Sequence, residues 1–351
     1  MAKKAAPSKR QLAMVFDLNK CLGCQTCTLA CKTAWTTRAG MEHQWWNIVN
    51  TFPGRGTPRD VFSHGGGYTK KGEPIPGDFP SKRLWGEAWD FDYEGVFGSN
   101  RDEPIPLHPR EHDGAAPQWG PNWDEDMGGG EYPNSYFFYL QQICMNCSEP
   151  ACVEACPRES VYKREEDGIV LIDEERCHGY RFCAEACPYK RIYFNEQRNI
   201  AQKCISCFPR LEAGVAPACI RQCPGRVRHI DYLDNADGHI YKLVKKWKVA
   251  LPLRPDFGVE PNVYYIPPTS PLAFKENGEF DDTGSRIPMD YLKEMFGPGV
   301  EQALATLEAE REKAAAGKKS ELMDILISRN WNDLLGPFTV DPAQLQRQPV
   351  R

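Results

Sequence analysis

The sequence predicts an α+β fold: two small modules wrapped by cysteines, a long loop-rich insertion, and a helical arm at the C-terminal end. Three observations lead there. All 15 cysteines of the 351 residues fall into four tight groups. A strand–turn–strand pattern joins the second group to the third, and residues 300–316 are strongly helical in pattern. The background composition is ordinary for a globular protein, 41% hydrophobic and 26% charged. A net charge of −5 gives no general attraction to nucleic acid or to an anionic membrane, so neither is an expected partner. No apolar run approaches the roughly 18 residues of a membrane-spanning helix, so no direct span is expected.

Residues 10–35 begin with a β-like segment, Leu12 to Phe16, which enters the first group: Cys21, Cys24, Cys27 and Cys31, spaced C-x2-C-x2-C-x3-C. The opening MAKKAAPSKR has no apolar stretch behind its charges and does not read as a secretory signal. Residues 36–139 read as an aromatic-rich loop insertion, punctuated by Pro and Gly as in TFPGRGTPRD and MGGGEYP. Seven of the nine tryptophans lie between Cys31 and Cys144: Trp35, Trp45, Trp46, Trp85, Trp89, Trp119 and Trp123. They either pack this segment over the modules or form a docking surface, since aromatic side chains are enriched in interface cores.

Residues 140–199 hold the second group (Cys144, Cys147, Cys152, Cys156) and the third (Cys177, Cys183, Cys187), followed by Pro157 and Pro188. Between them, Val161 and Tyr162, then Asp167-Gly168, then Ile169 to Ile172 spell a β-hairpin. Residues 200–235 hold the fourth group, Cys204, Cys207, Cys219 and Cys223 before Pro224, and leave it through a β-like segment, Val227 to Tyr232. Residues 236–351 are expected to form an extended and helical docking arm. Its part 251–298 is Pro-rich and extended; a helix follows over 300–316, ending at Gly317, and a second lies near Ser320 to Ser328. Val300, Ala303, Leu304 and Leu307 share one helical face, so the arm is expected to lie against another subunit or across the insertion.

Three chemistries use cysteines at such spacings. Disulfides suit small secreted chains with even counts, whereas 15 is odd and cysteines two residues apart are poorly placed to bridge within a helical turn. Zinc takes four ligands, usually as two separated pairs, and would leave cysteines of each group surplus. Iron–sulfur clusters use them all. In the C-x2-C-x2-C-x3-C-P run three thiolates wrap one cluster and the fourth ligates the other cluster of a pair. The hairpin then makes residues 140–199 a two-cluster module of bacterial-ferredoxin type. The first and fourth groups are left as partners by elimination, so that 10–35 and 200–235 form the other module.

If each fourth cysteine crosses to the partner cluster, one 4Fe–4S cluster takes Cys21, Cys24, Cys27 and Cys223. A second takes Cys31, Cys204, Cys207 and Cys219, and a third Cys144, Cys147, Cys152 and Cys187. The fourth has only Cys156, Cys177 and Cys183, because Tyr180 stands where CHGYRFCAEACP needs its second cysteine. Either one iron is absent, giving a 3Fe–4S centre of raised potential, or a 4Fe cluster keeps a water, phenolate or His178 ligand there.

The four groups, the aromatic residue at 180 and the stretch VFDLNKCLGCQTCTLACKTAWT resemble the iron–sulfur β subunits of complex molybdoenzymes of the dimethyl sulfoxide reductase family, over residues 10–60 and 135–235. The branch resembled holds the β subunits of ethylbenzene, steroid C25 and dimethyl sulfide dehydrogenases and of selenate and chlorate reductases; those of respiratory nitrate reductases are similar but longer. The resemblance implies the nested pairing above, three 4Fe–4S clusters and one 3Fe–4S cluster, and no catalytic residues. It implies electron transfer between a molybdenum-cofactor α subunit, facing the group-one module, and a haem b γ subunit, nearest the Tyr180 cluster. It implies export of the folded chain with the catalytic subunit to the periplasm, the cytoplasm being the alternative. Lys32 instead of proline after Cys31, and eleven residues between Cys207 and Cys219, depart from the plainest motif. Length and insertion size point to a hydrocarbon- or steroid-hydroxylating dehydrogenase, with an oxyanion (selenate, chlorate, nitrate) reductase as the alternative. An enzyme using an open-site cluster is the reading from another class.

Elsewhere the sequence offers little chemistry. Gly65-Gly66-Gly67 and Gly128-Gly129-Gly130 do not fit a nucleotide-binding G-x-G-x-x-G. His43, His64, His108, His112, His229 and His239 show no paired-ligand spacing, and neither a nucleophile triad nor a carboxylate pair can be argued. Lys190, Arg191, Arg198, Lys203, Arg210, Arg221, Arg226 and Arg228 are opposed only by Glu196 and Glu212. This basic run either raises the potentials of anionic clusters or is a solvated face.

Overall fold

In the computed structural model, which describes residues 8–86, 88 and 127–344, the run LAMVFD forms strand β1 (Leu12–Asp17), buried along its whole length. Helix α1 (Thr26–Trp35) starts inside the first cysteine group and runs on past Cys31. After it, β2 (Ile48–Phe52) and β3 (Phe138–Gln142) pair antiparallel, Ile48 opposite Gln142 and Phe52 opposite Phe138. The insertion therefore leaves and returns at one two-stranded ribbon, which its loop-like composition concealed. Trp89, Trp119, Trp123, His108 and His112 lie outside the described residues.

The second and third cysteine groups carry short helices, α2 (Ala151–Glu154) and α3 (Phe182–Ala186). The expected hairpin lies between them: β4 (Val161–Lys163) and β5 (Val170–Ile172) pair antiparallel, and Gly168 takes a φ of 71° in the turn. A second hairpin, β6 (Ile192–Asn195) with β7 (Ile200–Lys203), leads to the fourth group and its helices α4 (Phe208–Glu212) and α5 (Ala218–Arg221). Then β8 (Arg228–Tyr232) returns to β1 antiparallel, Leu12 opposite Tyr232. The two β-like segments that flank the first and fourth groups are thus neighbours.

The C-terminal region differs from the expectation. Within its Pro-rich stretch lie β9 (Leu251–Pro252), β10 (Val263–Ile266), β11 (Leu272–Phe274), β12 (Phe280–Ser285) and helix α6 (Met289–Phe296). Strand β10 pairs parallel with β1, so β1 lies inside a four-stranded sheet of order β8-β1-β10-β9, which is why its residues are apolar on both faces. The expected helices are α7 (Val300–Ala315) and α8 (Glu321–Ile327), with Gly317 at a φ of 74° between them. Leu307, Leu322, Ile325 and Leu326 pack with Ala13, Val15 and Ile266, so one face of these helices covers the chain's own sheet. Among the described residues no helix is long and apolar enough to cross a membrane.

Candidate metal centres

Every cysteine group begins with the same backbone device. The residue two positions after its first cysteine has a positive φ: Gly23 at 64°, Asn146 at 44°, Gly179 at 74° and Ser206 at 51°. A left-handed residue turns the chain, so that the loop curls round a space instead of continuing as helix. At Gly179 a Cβ would also meet Asn199 O at 2.7 Å, so glycine is required twice over. The match extends one turn further, Gln25 at 57° against Arg181 at 67°. Tyr180 thus holds the place in its loop that Cys24 holds in the first.

The loops bring thiols together across the groups. Cys21, Cys24 and Cys27 line a cavity of about 320 Å³ with Cys223. Cys31 lines another, of about 350 Å³, with Cys204, Cys207 and Cys219. Cys156, Cys177 and Cys183 line a third of about 280 Å³, together with His178 and Tyr180. Cys147 feels the charges of Cys144 and Cys187, and Cys152 those of Cys187, Cys144 and Cys147, so these four also gather. In the chain order used above, these are the first, second, fourth and third sets. Among the described residues, no three His, Cys, Asp or Glu side chains converge to hold a single ion. The thiols surround a space, which is the arrangement that a multi-atom cluster needs.

The electrostatics favour such a guest. Burial first, and then neighbouring thiolates, push Cys31, Cys147 and Cys152 far above the ordinary thiol range. Burial likewise pushes Cys183 and Cys219 up to about 12. Buried thiols around one space become stable thiolates only with positive charge between them, as a metal cluster provides. Cys156 differs. Burial raises its pKa, but the Ser160 hydroxyl at 3.1 Å and nearby backbone N–H groups outweigh it and bring the thiol below the usual range. Donors also reach other sulfurs: Trp35 Nε1 to Cys207 at 3.1 Å, Arg228 Nη2 to Cys27 at 3.1 Å, and Ala201 N to Cys177 at 3.4 Å.

The described tryptophans of the insertion are packing residues. Trp45, Trp46 and Trp85 are buried with Cys31, Cys204 and Tyr193, and Trp35 packs against them. The basic run divides. Arg226 donates to Ser328 O and Arg329 O at 2.8 and 2.9 Å, Arg221 to Val340 O at 3.4 Å, and Arg198 pairs with Glu174, so these tie segments together. Lys190, Arg191, Lys203 and Arg228 are instead buried, which no sequence signal distinguishes.

The four sets form a row. Arg228 donates to Cys27 of the first set, and its charge acts on Cys219 of the second as well as on Cys223 and Cys21 of the first. Cys204 of the second set feels Cys144 of the third, and Cys183 of the fourth feels Cys187 of the third. Between the second and third sets, Asn146 Nδ2 donates to Ser206 Oγ at 2.7 Å. The ends of the row are open to solvent, Leu22 being 67% and Tyr180 54% exposed.

Residues 135–232 match the family model of the 4Fe-4S dicluster domain. Beyond that segment the likeness runs nearly end to end. The chain is 52% identical to the respiratory nitrate reductase subunit beta of Haloferax mediterranei, over 91% of each chain. It is 50% identical to the selenate reductase subunit beta of Thauera selenatis, over 94% of this chain and 99% of that one. The chain belongs to the iron–sulfur β subunits of the dimethyl sulfoxide reductase family. A third member, the dimethylsulfide dehydrogenase subunit beta of Rhodovulum sulfidophilum, is 50% identical over 91% of this chain and 96% of that one. As a β subunit the protein is the electron-transfer, non-catalytic part of an oxidoreductase complex and works with a catalytic subunit. The α+β class and the ferredoxin-type domain stand as expected. The hydrocarbon or steroid assignment does not: relatives named for nitrate and selenate support the oxyanion alternative better.

Proposed function

We propose that this β subunit holds three 4Fe–4S clusters and one 3Fe–4S cluster, and serves an oxyanion reductase whose molybdenum-cofactor subunit meets one end of the row and whose haem b subunit meets the other. Cys21, Cys24, Cys27 and Cys223 would hold the first cluster; Cys31, Cys204, Cys207 and Cys219 the second; Cys144, Cys147, Cys152 and Cys187 the third. Cys156, Cys177 and Cys183 would hold the 3Fe–4S centre beside Tyr180. The observation that carries the reading is the unbroken row of four thiol sets with solvent-exposed ends. When bound, such clusters supply one-electron transfer at potentials set by cluster type, charge, hydrogen bonds and exposure. The chain's own part is to cage the sulfurs away from water, to donate N–H groups to them from Trp35 and Arg228, and to offset their negative charge. Export of the folded chain with its catalytic partner, to the periplasm, completes the reading.

Metal analysis and low-temperature EPR of the complex isolated without oxygen test it. About 15 iron from this chain, with the haem iron bringing the complex somewhat above that figure, one molybdenum, and a 3Fe signal in the oxidised state are expected. An oxidised state without that signal sinks the 3Fe assignment, and zinc in place of iron sinks the whole reading. With a reduced viologen dye, the complex should consume nitrate, selenate or chlorate; turnover of a sulfide alone would move it to the dehydrogenases.

A further inference from the structure

Two members of the basic run occupy places that neither the ligand pattern nor the row explains. Arg228 is 1% exposed and Lys203 2%. Arg228 Nη2 donates to Cys27 Sγ at 3.1 Å and to Asn47 Oδ1 at 2.9 Å, and the guanidinium lies 4.5 Å from the centre of the Phe16 ring. Its Nε and Nη1 are buried with no acceptor among the described residues. A buried guanidinium with two unanswered nitrogens, three N–H bonds between them, is costly unless whatever fills the neighbouring cavities supplies the acceptors. Those cavities are two: Arg228 lines the first, and Cys219 of the second lies within its field.

Lys203 repeats the arrangement one step along the row. It is the last residue of β7, directly before Cys204 of the second set, and its Nζ donates to Cys204 O at 2.9 Å and to Val170 O. Val170 packs in one cluster with Cys152 of the third set. The Lys203 charge favours the thiolates of both Cys204 and Cys152. One buried cation therefore stands at the junction of the first and second sets, and another at the junction of the second and third.

We propose that Arg228 and Lys203 are positioning charges shared between neighbouring clusters, so that potentials along the row are set in overlapping pairs: first with second by Arg228, second with third by Lys203. A 4Fe–4S cluster with four thiolates is anionic and gains a further negative charge on reduction. A fixed cation in a weakly screening interior favours the reduced form and raises the potential. A cation between two such groups does this for both, and it also screens the repulsion between electrons on adjacent clusters. The inference rests on the four-cluster reading above.

Redox titration of the assembled complex, followed by EPR, reads the midpoint of each cluster. Arg228→Gln should lower two midpoints by at least about 59 mV, a tenfold change in a one-electron equilibrium, and leave two in place. Lys203→Gln should likewise lower two, one of them shared with the first variant. Arg228→Lys, which keeps the charge, should restore most of the shift. Should glutamine at 228 block cluster insertion, Asn47→Asp gives an independent reading. It sets a carboxylate against the guanidinium and should lower the same two midpoints. Variants with all four clusters and unmoved midpoints, or with a single midpoint moved, overturn the proposal. Absence of cluster signals in the unaltered complex would instead reject the four-cluster reading itself.

Discussion

Tyr180 shows how local the difference between the fourth thiol set and the others is. Its loop repeats the left-handed residues of the first loop, at Gly179 and Arg181, so only the side chain departs from the pattern. The phenol ring stacks between His178 and Phe182, at 6.3 and 6.2 Å, and faces solvent more than protein. Tyr180→Cys should therefore supply a fourth thiolate without rebuilding the backbone. The expected result is loss of the oxidised-state 3Fe signal and a gain of about one iron per chain; retention of the 3Fe signal at unchanged iron content would contradict it. This vacancy was legible because ligand spacing is a local property of a sequence. The roles of Arg221, Arg226 and Arg228 were not. Adjacent in the chain and alike in charge, they bind C-terminal carbonyls in two cases and a buried thiol in the third, and only long-range packing decides which.

At the scale of elements, the proline missing after the first group acquires a reason. The other groups end in proline and carry helices of four or five residues, whereas α1 runs for ten and continues through Lys32. Lys32 is 2% exposed, and its Nζ donates to Met41 O, Glu42 O and Gln44 O at 2.7, 3.2 and 3.2 Å, over the Trp45 ring. Burial brings its pKa down to about 7. The side chain folds the start of the insertion onto the second thiol set. Lys32→Met would leave two buried carbonyls and one half-buried carbonyl unanswered and should destabilise the protein by about 2–3 kcal/mol, with faster protease cleavage within residues 36–47 as the readout. The hairpin at Asp167-Gly168 was legible from its turn residues. Strands β2, β3 and β10 were not, since each is paid for by a partner far along the chain: Ile48 meets Gln142, and Val263 meets Met14. Helix α6 was hidden by the prolines around it.

Across the whole molecule, segments distant in sequence are tied by buried or half-buried charge. Glu174, ahead of the third group, accepts from Gln202 at 2.7 Å, from Arg198 at 2.6 Å and from Arg38 of the insertion at 3.2 Å. Burial raises its pKa, but these donors outweigh it and hold the carboxyl below the ordinary glutamate range. Because the folded pKa is the lower one, the tie stabilises above that range and is lost as pH falls through it. Glu174→Gln should cost about 1 kcal/mol near pH 7, and the difference in unfolding midpoint should begin to narrow below about pH 4.3 and close as the pH falls through the lowered folded value; a gap independent of pH would exclude the charge as its cause. The order of the sheet carries a further consequence, for synthesis. Strand β1 ends at Asp17, but its two neighbours begin at Arg228 and Val263. At about 5–20 residues per second, a ribosome needs on the order of 10–50 s to deliver them. For that time a strand buried along its whole length in the folded protein has no edge to join, and the cavity lined by Cys21, Cys24 and Cys27 lacks Cys223. The cavity whose first three thiols are written first in the gene is thus completed among the last, so under the proposed ligation its cluster would be loaded only after translation has nearly finished.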